Sequence, residues 1–461
     1  MQSQETSKPI AKMGLFSCFC LGFGTIVGAG IFGAIPAAAE MVGSGIVWAY
    51  LLAMLSVLLR FLPVVYTSAI IPAPFCAYTH STRLVNPTLG FAQAITAYNF
   101  IFIVSAVALV FSEYFSTFVD ADPVLMAVIA IVVFGIITAL GVSATTTVQN
   151  LMVVLLVAAL LLYIFTGAPH LNSEYISFGD IIKPKSLTLV SLGAVVAMLN
   201  PSLQGGSDIT NYAHEIKNPG RNIPLSFFCS TAFACFLFVI ISVITLGVLP
   251  PGQVASLKDV AQKVMSPFWF NFFILGGAIF AILTTLNGIF ISVSRMIATP
   301  AHDKVFPSWW SRQNRFGVAQ NSVLLLVLGS VIVTVFNLSI GALFSAFSFL
   351  TIFTGLILFI PALRVHKVYP HSYRTSFMKL PFSVVVACTA FGVGISIWQL
   401  FALLSTLDLV ITLVLVGWIG GWYAYFFFRK NQLKKQGIDM IAIMRQPYPD
   451  WVKNEEANAS K

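Results

Sequence analysis

Two short stretches of the chain carry the groups best suited to hold a small charged solute. Gly22-Phe23-Gly24-Thr25-Ile26-Val27-Gly28-Ala29-Gly30-Ile31-Phe32-Gly33 places five glycines in twelve positions. Each glycine costs a helix about 1 kcal/mol relative to alanine. Asn200-Pro201-Ser202-Leu203-Gln204-Gly205-Gly206-Ser207-Asp208 joins a proline, which removes a backbone donor, to paired glycines. Both stretches interrupt apolar runs, so a helix is expected to break at each. A break frees backbone groups. The amides of Gly28, Ala29 and Gly30 would head a second half-helix and attract a carboxylate. The carbonyls of Thr25 and Ile26, and those of Ser202, Leu203 and Gln204 before Gly205, would accept from an ammonium group. A zwitterion supplies both charges. The competing explanation is that the glycines only let helices approach closely.

Other polar residues lie in or beside apolar runs. Asp208 follows the second break and is read as a proton-coupling candidate or as a cap on the half-helix beyond it. Glu215 lies seven residues on, on the same face of a continuing helix, and suits a salt bridge outside the apolar layer. Arg60 falls near the middle of an apolar run, where a charge costs at least about 2.5 kcal/mol. It should face the protein interior, with pairing to backbone carbonyls favoured over a direct solute contact. Glu113 falls near a membrane boundary, where an acid costs little. Thr284 and Thr285, beside the carbonyls of Gly24 and Val27, could offer oxygens to a sodium ion, though small residues there also suit helix packing.

These groups must be positioned by helices in lipid. The 461 residues are 58% hydrophobic and only 9% charged, against about 25% charged for a soluble domain. A span needs about twenty apolar residues. About twelve fit, near 15–39, 45–71, 88–118, 123–143, 147–168, 188–213, 223–249, 267–299, 320–337, 341–362, 381–404 and 408–428. The first run is read as a membrane helix and not as a cleaved signal. With the N-terminus in the cytoplasm, twenty basic residues fall on the inside and four on the outside, Arg60 being the twenty-fifth. That bias places both termini in the cytoplasm. The net charge of +9 reflects this bias and does not argue for nucleic-acid binding. The six cysteines have neither zinc-site nor disulfide spacing. All six histidines are expected in loops, so no metal site is assigned within the membrane, and no cofactor is expected. The segment after Arg429 reads as a polar tail.

The breaks fall in spans 1 and 6. An offset of five makes the two helices antiparallel, which points to inverted repeats with a site at the midplane.

At this level the sequence resembles the amino acid–polyamine–organocation family of permeases. Gly28-Ala29-Gly30-Ile31-Phe32 resembles that family's small-residue loop in helix 1. Pro72, Tyr78 and Gly90-Phe91 resemble its helix 2–3 connection. Gly205, followed by Ala213-His214-Glu215-Ile216-Lys217-Asn218-Pro219-Gly220-Arg221-Asn222-Ile223-Pro224, is similar to its helix 6–7 signature. Asn287, Ser294-Arg295 and Asp303 through Pro307 resemble the end of its helix 8. The matches run in register through residues 15–310, and beyond 320 only the apolar pattern continues them.

The resemblance implies an all-α membrane protein with a short cytoplasmic segment (1–14), five-helix repeats over 15–168 and 188–362, two further helices over 381–428, and a tail over 429–461. It also implies a substrate site between helices 1, 3, 6, 8 and 10. Departures are specific. Phe75 and Cys76 stand where many members have glycines before the tyrosine. Pro201 and Gly206 stand at common aromatic positions, Ser207 at a common acid, and Leu156 where cation-independent members often carry lysine.

The expected activity is secondary transport of amino acids or related amines across the plasma membrane, that of a bacterial cell by this reading. The coupling would be by protons or by exchange, with sodium coupling the alternative. A channel would need a filter of carbonyl or charged rings. A membrane enzyme would need a ligand or nucleophile motif such as His-Glu-x-x-His or Gly-x-Ser-x-Gly. The sequence contains none of these.

Overall fold

The computed structural model describes residues 13–141, 146–182, 184, 188–249 and 256–459. Helices dominate them: α1 (Leu15–Ile26), α2 (Ala29–Val42), α3 (Ile46–Ile70), α4 (Cys76–Leu84), α5 (Pro87–Phe115), α6 (Pro123–Ala139), α7 (Thr146–Gly167), α8 (Phe178–Ile182) and α9 (Leu189–Gln204). A 3₁₀ stretch (Gly205–Glu215) follows α9. Then come α10 (Pro219–Val248), α11 (Leu257–Val264), α12 (Pro267–Phe272), a π-helical turn (Phe273–Ile279), α13 (Phe280–Met296), α14 (Ala298–His302) and α15 (Gln320–Val335). The chain ends in α16 (Ile340–Gly355), α17 (Phe359–Val368), α18 (Pro370–Thr375), α19 (Phe382–Thr406), α20 (Leu409–Lys435), α21 (Met440–Arg445) and α22 (Pro449–Ala459).

Among the described residues, nine helical stretches are long and apolar enough to cross a membrane, and Leu15–Ile26, Pro123–Ala139 and Gln320–Val335 are shorter apolar helices. The first long stretch, Gly30–Ile70, holds both α2 and α3; with α1 and α2 as one interrupted span and α3 as the next, the described helices make twelve crossings. Helix starts follow local chemistry. Asn86 accepts from the Thr88 amide at 2.8 Å just before α5, and Asp122 accepts from the Leu125 amide at 2.7 Å just before α6. Each is followed by proline at the first helical position, where no amide partner is needed.

Burial sorts the helices. In α5, 89% of the most apolar window is buried, against 22% for α19 and 11% for α20. Helix α5 is therefore the central post, while α19 and α20 leave most of their apolar surface for lipid.

The polar tail is helical. After α20, helices α21 and α22 fold back onto the end of the bundle where α3 meets α4. Trp451 is fully buried, and its Nε1 donates to Pro72 O at 3.0 Å. Its ring packs 5.3 Å from His80 and 5.8 Å from Tyr369. The Glu455 carboxylate accepts from the His371 and Ser372 amides, each at 2.8 Å, at the start of α18. A tail rich in charge hid this dock, because its buried apolar residues, Met440, Met444 and Trp451, are few and scattered among polar ones.

His80 is a second correction. It lies in α4, not in a loop, and is buried. His302, His366 and His371 also fall on α-helices, α14, α17 and α18, and His170 and His214 on 3₁₀ segments. The His80 Nε2 donates to Ile71 O at 3.0 Å, and Nδ1 lies 2.8 Å from Thr67 Oγ1. Burial lowers the imidazole to about 4. The unfolded chain takes up this proton below about pH 6.5, while the folded one does not until about pH 4. Stability from this group is therefore full above pH 6.5 and falls as pH drops towards 4, by up to about 3 kcal/mol. Thermal unfolding in detergent should show that loss, and Trp451→Ala, which opens the pocket to water, should flatten it while lowering the unfolding temperature at pH 7.5.

Candidate functional site

The first span breaks at Val27-Gly28, as its glycines predict. Val27 has φ −86° and ψ 73°, and the Gly28 amide donates to Ile26 O at 3.0 Å, closing an inverse γ-turn. This corrects one expectation. The Gly28 amide and the Ile26 carbonyl satisfy each other, so the amides left to head α2 start at Ala29 and Gly30.

The sixth span is interrupted differently. Helix α9 ends at Gln204, and the chain tightens into the 3₁₀ stretch, with a non-helical Tyr212 (φ −105°, ψ 16°) inside it. Bonds from i to i+3 take up carbonyls at the joint. The carbonyls of Ser202, Leu203 and Gln204 therefore do not open as a gap.

The two interruptions face each other. Thr25 Oγ1 donates to Gly205 O at 2.9 Å. A side chain at Gly205 would place Cβ 2.6 Å from both Thr25 C and Thr25 O, so the helices meet backbone to backbone. A Cβ at Gly30 would lie 2.8 Å from Ser202 Cα, and Ser202 Oγ donates to Gly30 O at 3.4 Å. A Cβ at Gly28 would collide with Thr285 Oγ1. Thr25, Gly28, Gly30, Ser202, Gly205 and Thr285 thus converge on one junction. Ile26, Val27 and Leu203 are buried around it.

The sodium candidates are partly assembled. Thr285 touches Gly28, but its hydroxyl and that of Thr284 both donate to Ala281 O, at 3.0 and 2.8 Å. Gly24 is buried within α1. Leu156 is 3% exposed on α7, which packs against both α1 and α13. An apolar side chain fills the place where the resemblance led one to look for lysine.

Beside the junction lies a cavity of about 60 Å³, room for about four water molecules. Arg60, Gln204 and Asp208 line it, with Phe100, Met296 and Phe347 among the apolar walls. Arg60 corrects a further expectation. Its guanidinium donates from Nη2 to Gln204 Oε1 at 2.6 Å, a side chain in place of the backbone carbonyls. Asp208 and Glu215 part company across the Tyr212 kink. Asp208 faces the cavity, while Glu215 pairs with Arg295 at 3.2 Å, whose guanidinium lies 4.5 Å over the Tyr212 ring.

This geometry can be set beside known proteins. The family model described as amino acid permease matches residues 13–422. The chain belongs to the amino acid permease family. The permease is 25% identical over 472 residues to the methylthioribose transporter of Bacillus subtilis, covering 94% of this chain and 97% of that one. It is 23% identical to the branched-chain amino acid permease BcaP of the same organism, over 65% of this chain and 69% of that one. It is 24% identical to the chloroplastic cationic amino acid transporter 9 of Arabidopsis thaliana, over 68% of this chain and 59% of that one. The permease is a multi-pass membrane transporter of amino acids or other organic solutes, and not an enzyme.

The permease also holds contacts that sequence reading did not assign. Arg83 and Tyr78 both reach the buried Asp303, at 3.0 and 2.9 Å, tying α4 to the end of α14. Tyr78 and Asp303 stood in the matched motifs and Arg83 did not, and nothing in their spacing paired them. Phe75 adopts a left-handed conformation (φ 44°) immediately before α4, stacks on Tyr78 at 5.8 Å and also lines the cavity. A left-handed non-glycine is uncommon, and here it brings a ring to the cavity wall where many family members have none.

Proposed function

We propose that the protein is a secondary transporter of amino acids or related amines, working by alternating access. The observation that carries this reading is the junction of α1–α2 with α9 and the 3₁₀ stretch. There, the N-terminus of a half-helix opens at Ala29-Gly30, next to backbone that glycine alone permits. Such an N-terminus favours a carboxylate, and the carbonyls of Gly24 and Thr25 lie on the other side of the break for an ammonium group. The substrate would take its carboxylate to the amides of Ala29 and Gly30 and its ammonium group to the Thr25 carbonyl, with Ile26, Gly28, Ser202, Leu203, Gln204 and Gly205 surrounding them. We infer two inverted halves, 15–168 and 188–362, rocking about this point, with 381–428 outside the repeat. Both termini face the cytoplasm, by the bias of basic residues, and the membrane is the plasma membrane of a bacterium. Coupling is by protons through Asp208, or the carrier exchanges solutes. Sodium held by Gly24, Val27, Thr284 and Thr285 is the rival.

Purified protein in proteoliposomes tests the reading. Saturable uptake and counterflow of an amino acid or amine are expected. A thermal-shift screen with and without sodium selects the solute. Methylthioribose belongs in that screen, since it lacks both charges and a relative transports it by name. Stabilisation and counterflow with methylthioribose alone would overturn the zwitterion reading. Conductance without saturation would overturn the carrier.

A further inference from the structure

The cavity beside the junction contains a charge that the proposed transport site leaves unused. Arg60 is 1% exposed on α3. Of its guanidinium nitrogens, only Nη2 is bonded, to Gln204; Nε and Nη1 are buried without a hydrogen-bond partner among the described residues. The group is held in place. A Cβ at Gly355 of α16 would sit 3.8 Å from Arg60 Cδ, so the stem runs beside bare backbone, and the guanidinium carbon lies 4.7 Å over the Phe61 ring. A buried guanidinium with free donors is costly in a membrane interior and marks a functional position by default. Asp208 borders the same cavity, and no ion pair joins the two among the described residues. A cation and an anion are thus presented to one space without neutralising each other. Phe100, Met296 and Phe347 add apolar walls.

We propose that this cavity is a binding station for an α-amino acid with an apolar side chain, in which Arg60 grips the carboxylate, Gln204 orients the guanidinium and Asp208 faces the ammonium group. The inference rests on the transport reading and names the substrate class for it. Guanidinium is the natural partner for a carboxylate, because its planar donors match both oxygens. A zwitterion satisfies both charges at once, whereas an amine leaves Arg60 unpaired and a simple acid leaves Asp208 unpaired. The present volume admits the charged head of an amino acid. The side chain needs the apolar walls to separate, as they would when the halves rock.

Three probes that differ by one group test this: L-leucine, isoamylamine (leucine without its carboxylate) and isocaproate (leucine without its amine). Affinities are read by thermal-shift titration of the full-length protein, and transport by competition in counterflow. Wild type should prefer L-leucine to isoamylamine by about 10- to 100-fold, the range for a charged hydrogen-bonded pair. Arg60→Gln should bring that ratio close to one by weakening leucine and leaving isoamylamine nearly unchanged. Gln204→Glu should do the same with the guanidinium still present, because the new carboxylate occupies it. This keeps the test decisive where Arg60→Gln does not fold. Arg60→Lys should fall between. An unchanged ratio in Gln204→Glu and Arg60→Lys, or wild type that ignores L-leucine, overturns the station. Wild type that shows counterflow of other solutes would still leave the transport reading standing. Absence of counterflow with every solute overturns both.

Discussion

Gly205→Ala should lose most of its transport while remaining a folded, inserted protein. The added methyl would lie 2.6 Å from Thr25 C and O and 2.8 Å from Ile26 N. These are backbone atoms of α1, so no rotamer change relieves the clash. Overpacking of this kind costs about 1–3 kcal/mol. The strain falls on the conformation in which α1 and the 3₁₀ stretch touch. An alternating carrier must visit that conformation in each cycle, and a bias of this size shifts a two-state equilibrium by roughly 5- to 150-fold. Initial uptake in proteoliposomes should fall by a similar factor, with an unaltered elution volume. Gly28→Leu should also stop transport, by driving Thr285 aside at the turn. Gly394→Ala is the control, since a Cβ there meets nothing within 4 Å. Equal uptake by Gly205→Ala and wild type would mean that the junction stays open throughout the cycle.

The fold was legible because lipid imposes few rules and this chain obeys them. Twelve apolar runs, short loops and two glycine-rich defects suffice to specify crossings and interruptions. The form of each defect was not legible. Gly28 and Gly205 both read as breaks, yet one closes a γ-turn and the other tightens a helix. Both outcomes satisfy the same backbone groups, and the choice is made by what packs opposite: Thr285 against Gly28, Thr25 against Gly205.

Of the candidate site, the residues were legible and their partners were not. Thr25 and Ser202 carry small hydroxyls beside glycines, and these do meet. Arg60 was assigned to the interior on cost alone. That cost could not reveal Gln204, 144 positions away, because side-chain partners depend on the relative rotation of two helices. The docked tail escaped for a related reason. Periodicity reads whole faces, and Met440, Met444 and Trp451, spread over two short helices, make too short a pattern to show one.

Replacing Asp208 should separate transport from its driving force. Its carboxylate faces the cavity with no hydrogen bond or ion pair among the described residues; Arg60 lines the same cavity, and the Arg295–Glu215 pair lies beyond Tyr212. An acid so placed can exchange a proton with water reaching the cavity, and it changes the net charge there when it does. Sodium has a poorer claim. No carboxylate stands among its candidate oxygens, and Gly24, Val27, Thr284 and Thr285 offer about four where a hard cation needs about six. Uptake by wild type should therefore vary with pH and be indifferent to sodium. Asp208→Asn keeps the shape and removes the titration. It should retain counterflow, which needs no net coupling, though at a higher half-saturating concentration because Asp208 also faces the ammonium group, yet fail to accumulate substrate when a pH gradient is imposed, and its rate should become flat with pH. Thr285→Ala should leave the pH response intact. Initial rates across pH 5.5–8.5, in sodium and in choline, decide between the two. Strict sodium dependence that Thr285→Ala abolishes and Asp208→Asn leaves untouched would transfer the coupling site from Asp208 to the α1–α13 contact.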